Sequence, residues 1–250
     1  MKITTLGSSH GDATATRNNS AILLEIESGA YLFEVGEPVC TTLIRREFDF
    51  GRLRAVFVSH MHGDHAGGLP ILLKFFLKYR KPGWRCEVRL PETEAIPGLQ
   101  AWMQALHLPN PEGFVDFAGV APGLFFADGQ LRVTALPTQH FGRTSPFPSY
   151  GYLIEAEGKR VLFTGDLSGD FHDFPALPEG VADVDLCLSE ATHAPLAAIV
   201  TAISSAPIRR LVLTHIGPRW DGGHEPELAA AFASHPFPTH IARDGDEFTL

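Results

Sequence analysis

Residues Ser59 to Gly68 read SHMHGDHAGG, which sets three histidines and an aspartate at His60, His62, Asp64 and His65. Imidazole nitrogens and carboxylate oxygens are ligands for borderline dications such as zinc, so four of them in so short a stretch point to a metal centre. The residues before them, Arg54 to Ser59, read as a buried strand. That strand would deliver His60 and His62 into a loop, and Gly63 would let the loop turn tightly. Asp64 and His65 would then stand at the entry to the next helix. The competing account is a helix start with Asp64 as N-cap and incidental histidines. Three histidines at this spacing make it the weaker account.

Four such groups on one loop cannot all point at one ion, so further ligands must come from elsewhere. Three candidates each follow a predicted strand: His140 after Leu131–Pro137, Asp166 in TGD after Arg160–Thr164, and His215 in LTH after Leu211–Thr214. A lone residue in such a place usually caps or turns the chain. The three together complete a ligand set.

The elements that must position these residues follow from periodicity and turn chemistry. Ile3–Leu6, Ala21–Glu27 and Ala30–Val35 read as strands, with Ser28 and Gly29 turning the hairpin. From Gly68 to Tyr79 the pattern becomes helical, with Leu69, Leu72, Leu73, Phe76 and Leu77 on one face. Glu87–Leu90, Phe114–Ala118, Leu131–Leu136, Tyr150–Ala156, Arg160–Thr164, Val184–Ser189, Arg210–Thr214, His240–Ala242 and Glu247–Leu250 complete the strands. Glu94–Leu106, Leu196–Ser204 and Glu225–Ser234 complete the helices. Strands mixed with helices in two approximate halves describe a layered α/β fold. The polar candidates cluster where strands end, which is where open α/β sheets carry their sites.

The bulk properties exclude several classes. At 250 residues and 44% hydrophobic content the chain is long and apolar enough for a sizeable core. The net charge of −9 argues against a general nucleic-acid binder. The one basic cluster, Lys74, Lys78, Arg80, Lys81 and Arg85, reads as a solvated helix end. Bound dications would offset the acidic balance locally, so an anionic substrate stays open. Three cysteines without a CxxC pair argue against disulfides and thiolate zinc sites. No signal peptide or membrane span is legible, so the expected location is cytoplasmic, with no membrane partner.

The ligand set resembles that of the metallo-β-lactamase-fold superfamily, in which H-x-H-x-D-H and distant His, Asp and His residues hold two metals. The resemblance implies a four-layer αβ/βα sandwich, here one domain over residues 1–250. It assigns His60, His62 and His140 to the first metal, Asp64, His65 and His215 to the second, and Asp166 to both. The metals would be two divalent ions, Zn2+ foremost, with Mn2+ or Fe as alternatives.

Within the superfamily, LGSSHGDATATRNNSAILLEI near the start, FPSYGYLIE after His140, SEATH at 189–193, LTHIGPRW at 213–220 and the closing IARDGDEFTL are similar to ribonuclease Z proteins. The long arm those enzymes use on tRNA has no room here, since only residues 141–165 separate His140 from Asp166. The implied substrate is therefore a small or short nucleic-acid phosphodiester rather than tRNA. Two metals would activate water near neutral pH and polarise a phosphoryl oxygen. Asp64 would accept a proton while holding the second metal. Glu190 and His193, in the segment that resembles the family's Glu and His, would assist the leaving group, or Glu190 would only orient a histidine. Ser145 and Ser149 could touch a phosphate or simply form turns. Two alternatives stand beside the phosphodiesterase: a hydrolase of lactones, thioesters or other carbonyl substrates, and a non-hydrolytic iron-binding redox protein. A homodimer is left open.

Overall fold

Lys2–Gly7 (β1), Ala21–Ile26 (β2) and Gly29–Phe33 (β3) are almost wholly buried, as near-continuous apolar and β-branched runs require. The computed structural model describes residues 1–250. Its contacts divide the chain into two compact units, residues 1–7, 11–120 and 244–249, and residues 8–10, 121–243 and 250.

The first unit continues with α1 (Val39–Arg45), β4 (Leu53–Phe57), α2 (Gly63–Ala66), α3 (Leu69–Tyr79), β5 (Cys86–Leu90), α4 (Ala95–Ala105) and β6 (Val115–Gly119). The second holds β7 (Gly123–Ala127), β8 (Leu131–Pro137), β9 (Tyr150–Ala156), β10 (Lys159–Phe163) and β11 (Leu186–Glu190), then α5 (Leu196–Ser204), β12 (Leu211–Thr214), α6 (Glu225–Ala231) and β13 (Thr239–Ile241). The last strand, β14 (Glu247–Thr249), returns to the first unit.

Each unit is built on a mixed seven-stranded sheet. The first runs β14-β1-β2-β3-β4-β5-β6, antiparallel through β3 and parallel from β3 to β6. The second runs β13-β12-β11-β10-β9-β8-β7, parallel from β13 to β10 and antiparallel beyond. Parallel strands share one carboxyl edge, and that edge is where the candidate ligands lie. The core of the first unit packs Leu69, Leu72, Leu73 and Phe76 of α3 with Val56, Val88 and Leu32. That of the second packs Ile199 and Ile203 of α5 and Leu228 of α6 with Leu162, Cys187 and Leu213.

The structure differs from the sequence reading in detail. Helix α1 was not expected, because VCTTLIR is rich in β-branched residues that disfavour helices; burial of Val39, Cys40 and Leu43 outweighs that preference. Strand β7 was not expected either. Helix α6 ends at Ala231, short of Ser234, and the first hairpin turns at Glu27 and Ser28, one residue early. Gly63 opens α2 without a positive φ and with open space where a Cβ would stand, so the chain's entry into α2 does not draw on the freedom of glycine. No helix is long and apolar enough to cross a membrane.

Candidate metal centre

In the first unit, β4 ends at Phe57 and the chain passes through Ser59 into the histidine loop. His62, not Asp64, is the N-cap of α2, and Asp64 and His65 lie buried within that short helix. His60 Nε2 and His62 Nδ1 lie 3.0 Å apart. Asp64 Oδ2 lies 3.1 Å from His65 Nε2. Donor atoms that share an ion at about 2.0–2.2 Å stand about 3.0–3.6 Å from each other, so both spacings are those of converging ligand pairs.

The rings are held from behind. Ser59 Oγ lies 3.0 Å from His60 Nδ1. Glu34, wholly buried at the end of the β3 segment, accepts from the Ser59 backbone N–H at 3.2 Å on each oxygen. Its Oε2 lies 3.3 Å from His65 Nδ1. A carboxylate behind a metal-binding histidine commonly sets its tautomer and orientation, and Glu34 stands where it could do so for His65. Glu34 reaches it through a φ of 65°, a conformation that side-chain-bearing residues rarely adopt. The sequence reading missed Glu34; the signal was one acid inside the otherwise apolar run AYLFEV. The loop beyond it grips α2: Val35 N donates to His65 O at 2.6 Å and Gly68 N to Val35 O at 2.8 Å. A Cβ on Gly36 would stand 2.3 Å from Asp64 O, so only glycine fits there.

In the second unit, His140 follows β8, Asp166 follows β10, Glu190 ends β11 and His215 follows β12. Asp166 is buried and its two oxygens diverge. Oδ1 lies 3.6 Å from His215 Nε2. Oδ2 lies 3.9 Å from His140 Nε2 and 3.9 Å from His193 Nε2. His140, Asp166 and His193 form one group able to hold an ion, and Glu190, His193 and His215 another. His140 Nδ1 faces the carbonyl of Leu167 at 3.4 Å, again turning Nε2 to the acid. His215 is buried with a φ of 50°, and Thr192 donates its hydroxyl to the His215 carbonyl. Strained backbone of this kind is common at functional sites, and here it lies beside the other candidate ligands.

Glu190 is buried and fully engaged. Oε1 accepts from Leu167 N at 2.5 Å. Oε2 accepts from Thr192 N at 3.2 Å and His193 N at 3.0 Å, and lies 2.7 Å from His193 Nδ1. A second clamp is Asp173, which sequence reasoning passed over. Its carboxylate accepts from Gln139 N at 2.5 Å, Ser168 N at 3.0 Å and Ser168 Oγ at 2.6 Å, tying the loop that carries His140 to the loop that follows Asp166. Ser145 Oγ accepts from Phe147 N in a local turn, and Ser149 bonds Thr138 across the base of the loop. His224 pairs with Glu227 on the exposed surface.

Residues 40–216 match the beta-lactamase superfamily domain. Ribonuclease BN of Escherichia coli O7:K1 (strain IAI39 / ExPEC) is 33% identical over a 181-residue alignment that covers 64% of this chain and 51% of that protein. The chain therefore spans about half the length of the curated relatives it matches. Among solved structures, human tRNase Z, short form, aligns with a TM-score of 0.76 at 23% identity, covering 100% of this chain and 99% of that one. The metallo-beta-lactamase fold protein YhfI from Bacillus subtilis gives 0.76 at 20% identity, covering 99% of each. A diphosphatase from the PhnP family gives 0.71 at 16%, covering 100% of this chain and 97% of that one.

The chain belongs to the beta-lactamase superfamily. It has the α/β metallo-β-lactamase fold, and its sequence and structure resemble ribonuclease Z.

Proposed function

We propose that the chain, acting as one domain over residues 1–250, is a dinuclear metal-dependent phosphodiesterase whose substrate is a small diester or a short nucleic acid. The reading gives His60, His62 and His140 to one ion, Asp64, His65 and His215 to a second, and Asp166 to both. The observation that carries it is the divergence of Asp166, with Oδ1 toward His215 and Oδ2 toward His140. A carboxylate serving one ion has no need of that arrangement. The converging pairs His60–His62 and Asp64–His65 fit the same assignment. The donor set is all nitrogen and oxygen, which suits zinc and also admits manganese or iron. When bound, such an ion pair supplies a nucleophile at neutral pH and charge against the developing phosphoryl oxyanion.

The chain's own residues do the rest. Asp64, buried against His65, takes the proton of the attacking water. His193, with Nε2 toward Asp166 and its side chain partly exposed, gives a proton to the leaving oxygen. Glu190 holds Nδ1 and fixes the orientation of the ring, which makes it a positioning residue. Phosphoryl chemistry is preferred because the relatives, ribonuclease BN, tRNase Z and a diphosphatase, are named for it. Residues 141–165 form a loop and the β9–β10 hairpin, which leaves no arm for tRNA.

The test is hydrolysis of bis(p-nitrophenyl) phosphate by protein loaded with zinc, manganese or iron, with Asp64→Ala as control. Turnover that vanishes in the variant supports the reading. No turnover in protein that holds two ions overturns it.

A further inference from the structure

The loop after His140 reads FGRTSPFPS and holds Phe147 out into solvent, 56% exposed. A single exposed aromatic is ordinary. This one is displayed by a stiff device. Pro146 and Pro148 flank it and fix their own φ. Ser145 Oγ accepts from Phe147 N at 3.1 Å, Ser145 N donates to Gly142 O at 3.2 Å, and Gly142 N to Gln139 O at 2.8 Å. At the far end Thr138 N donates to Ser149 O at 2.9 Å, and Thr138 Oγ1 to Ser149 Oγ at 2.7 Å. Both ends are fastened, so little conformational freedom remains for a ligand to remove.

The loop borders an open pocket of about 220 Å³ lined by Thr138, Phe141, Arg143, Ser145, Phe147 and Tyr150, among others. Rings run without a break from the centre to this cavity: His193 to His140 at 4.7 Å, His140 to Phe141 at 5.0 Å, and Phe141 to Phe147 at 5.8 Å. A phosphate seated against His140 would carry its next substituent over Phe141 and Phe147. A pocket of this size has room for a planar ring system and not for a folded polymer. Its aromatic walls offer stacking, and Ser145 and Arg143 offer polar contacts at the ring's edge.

We propose that this loop is a base-binding subsite and that the substrate is a diester bearing a nucleobase beside the scissile phosphate. The proposal rests on the phosphodiesterase reading above. Its test uses two diesters with the same leaving group, thymidine 5′-(p-nitrophenyl phosphate) and ethyl p-nitrophenyl phosphate. In the wild type kcat/KM should favour the nucleoside diester by roughly 10-fold or more, chiefly through KM. In Phe147→Ala the ratio should fall toward one, and Phe147→Tyr should restore it. In parallel, calorimetric titration with thymidine 5′-monophosphate should give binding roughly 10-fold weaker in Phe147→Ala. An unchanged ratio in Phe147→Ala overturns the subsite and leaves the phosphodiesterase standing. If neither diester is turned over, the phosphodiesterase reading fails, and the calorimetry then judges the subsite alone: equal binding by the two proteins, or none, overturns it.

Discussion

His193 Nδ1 and Glu190 Oε2 lie 2.7 Å apart, and the same oxygen also accepts from the His193 backbone N–H at 3.0 Å. One acid thus fixes both the backbone and the ring of the histidine whose Nε2 faces Asp166. If His193 protonates the leaving group, its value depends on how poor that group is. His193→Ala should slow a diester with an alkoxide leaving group by roughly 10²–10⁴-fold, while slowing bis(p-nitrophenyl) phosphate far less. Glu190→Gln should follow the same pattern more weakly, and the double variant should be no worse than His193→Ala, because the pair acts as a unit. Equal losses on the two substrates would remove the acid role.

Asp166 makes a separable prediction. With Oδ1 toward His215 and Oδ2 toward His140, replacing one oxygen by an amide nitrogen should break the sharing. Asp166→Asn should bind one ion or fewer per chain by elemental analysis, where the wild type should bind two. Hydrolysis should drop by roughly 100-fold or more. Two ions retained in the variant would defeat the bridging assignment.

The strand ends and the histidine loop were legible because short continuous apolar runs and ligand chemistry both leave marks in a single sequence. His60, His62, Asp64 and His65 share one loop, and His140, Asp166 and His215 each stand where a readable strand stops. What was not legible arises from tertiary contact. Helix α1 forms against its own propensity because the core buries Val39, Cys40 and Leu43. Glu34 and Asp173 matter through partners 31 and 34 residues away, His65 and Gln139, and no local pattern announces such pairs. Gly63 misled because glycine signals freedom that this backbone does not use.

Glu34 offers a test of support from behind a ligand. Glu34→Gln keeps the shape but removes the charge beside His65 Nδ1. Metal affinity should weaken by roughly 10–100-fold, with activity recovered at high metal concentration. Circular dichroism should match the wild type, which separates this effect from unfolding. Unaltered affinity would reduce Glu34 to a hydrogen-bond acceptor for Ser59.

The cysteines give a prediction independent of the metal. Cys40, Cys86 and Cys187 are buried and form no disulfide. Burial, assisted by the charge of Glu37, pushes the Cys40 thiol up to about 12, and burial raises the other two well above the ordinary thiol range. The thiolate is the reactive form, so a disulfide reagent at pH 8 should label all three at the rate of unfolding and no faster, but at once in denaturant. The sign of the pH effect follows from linkage. The unfolded thiols ionise near pH 9 while the folded ones stay protonated, so the unfolded state releases protons first. Their contribution to stability is therefore complete below about pH 9 and is lost as pH rises toward the folded values. Denaturant midpoints measured from pH 8 to pH 11 should decline, and Cys40→Ala should flatten that decline. A midpoint equally steep in Cys40→Ala would show that Cys40 is not a source of the alkaline sensitivity.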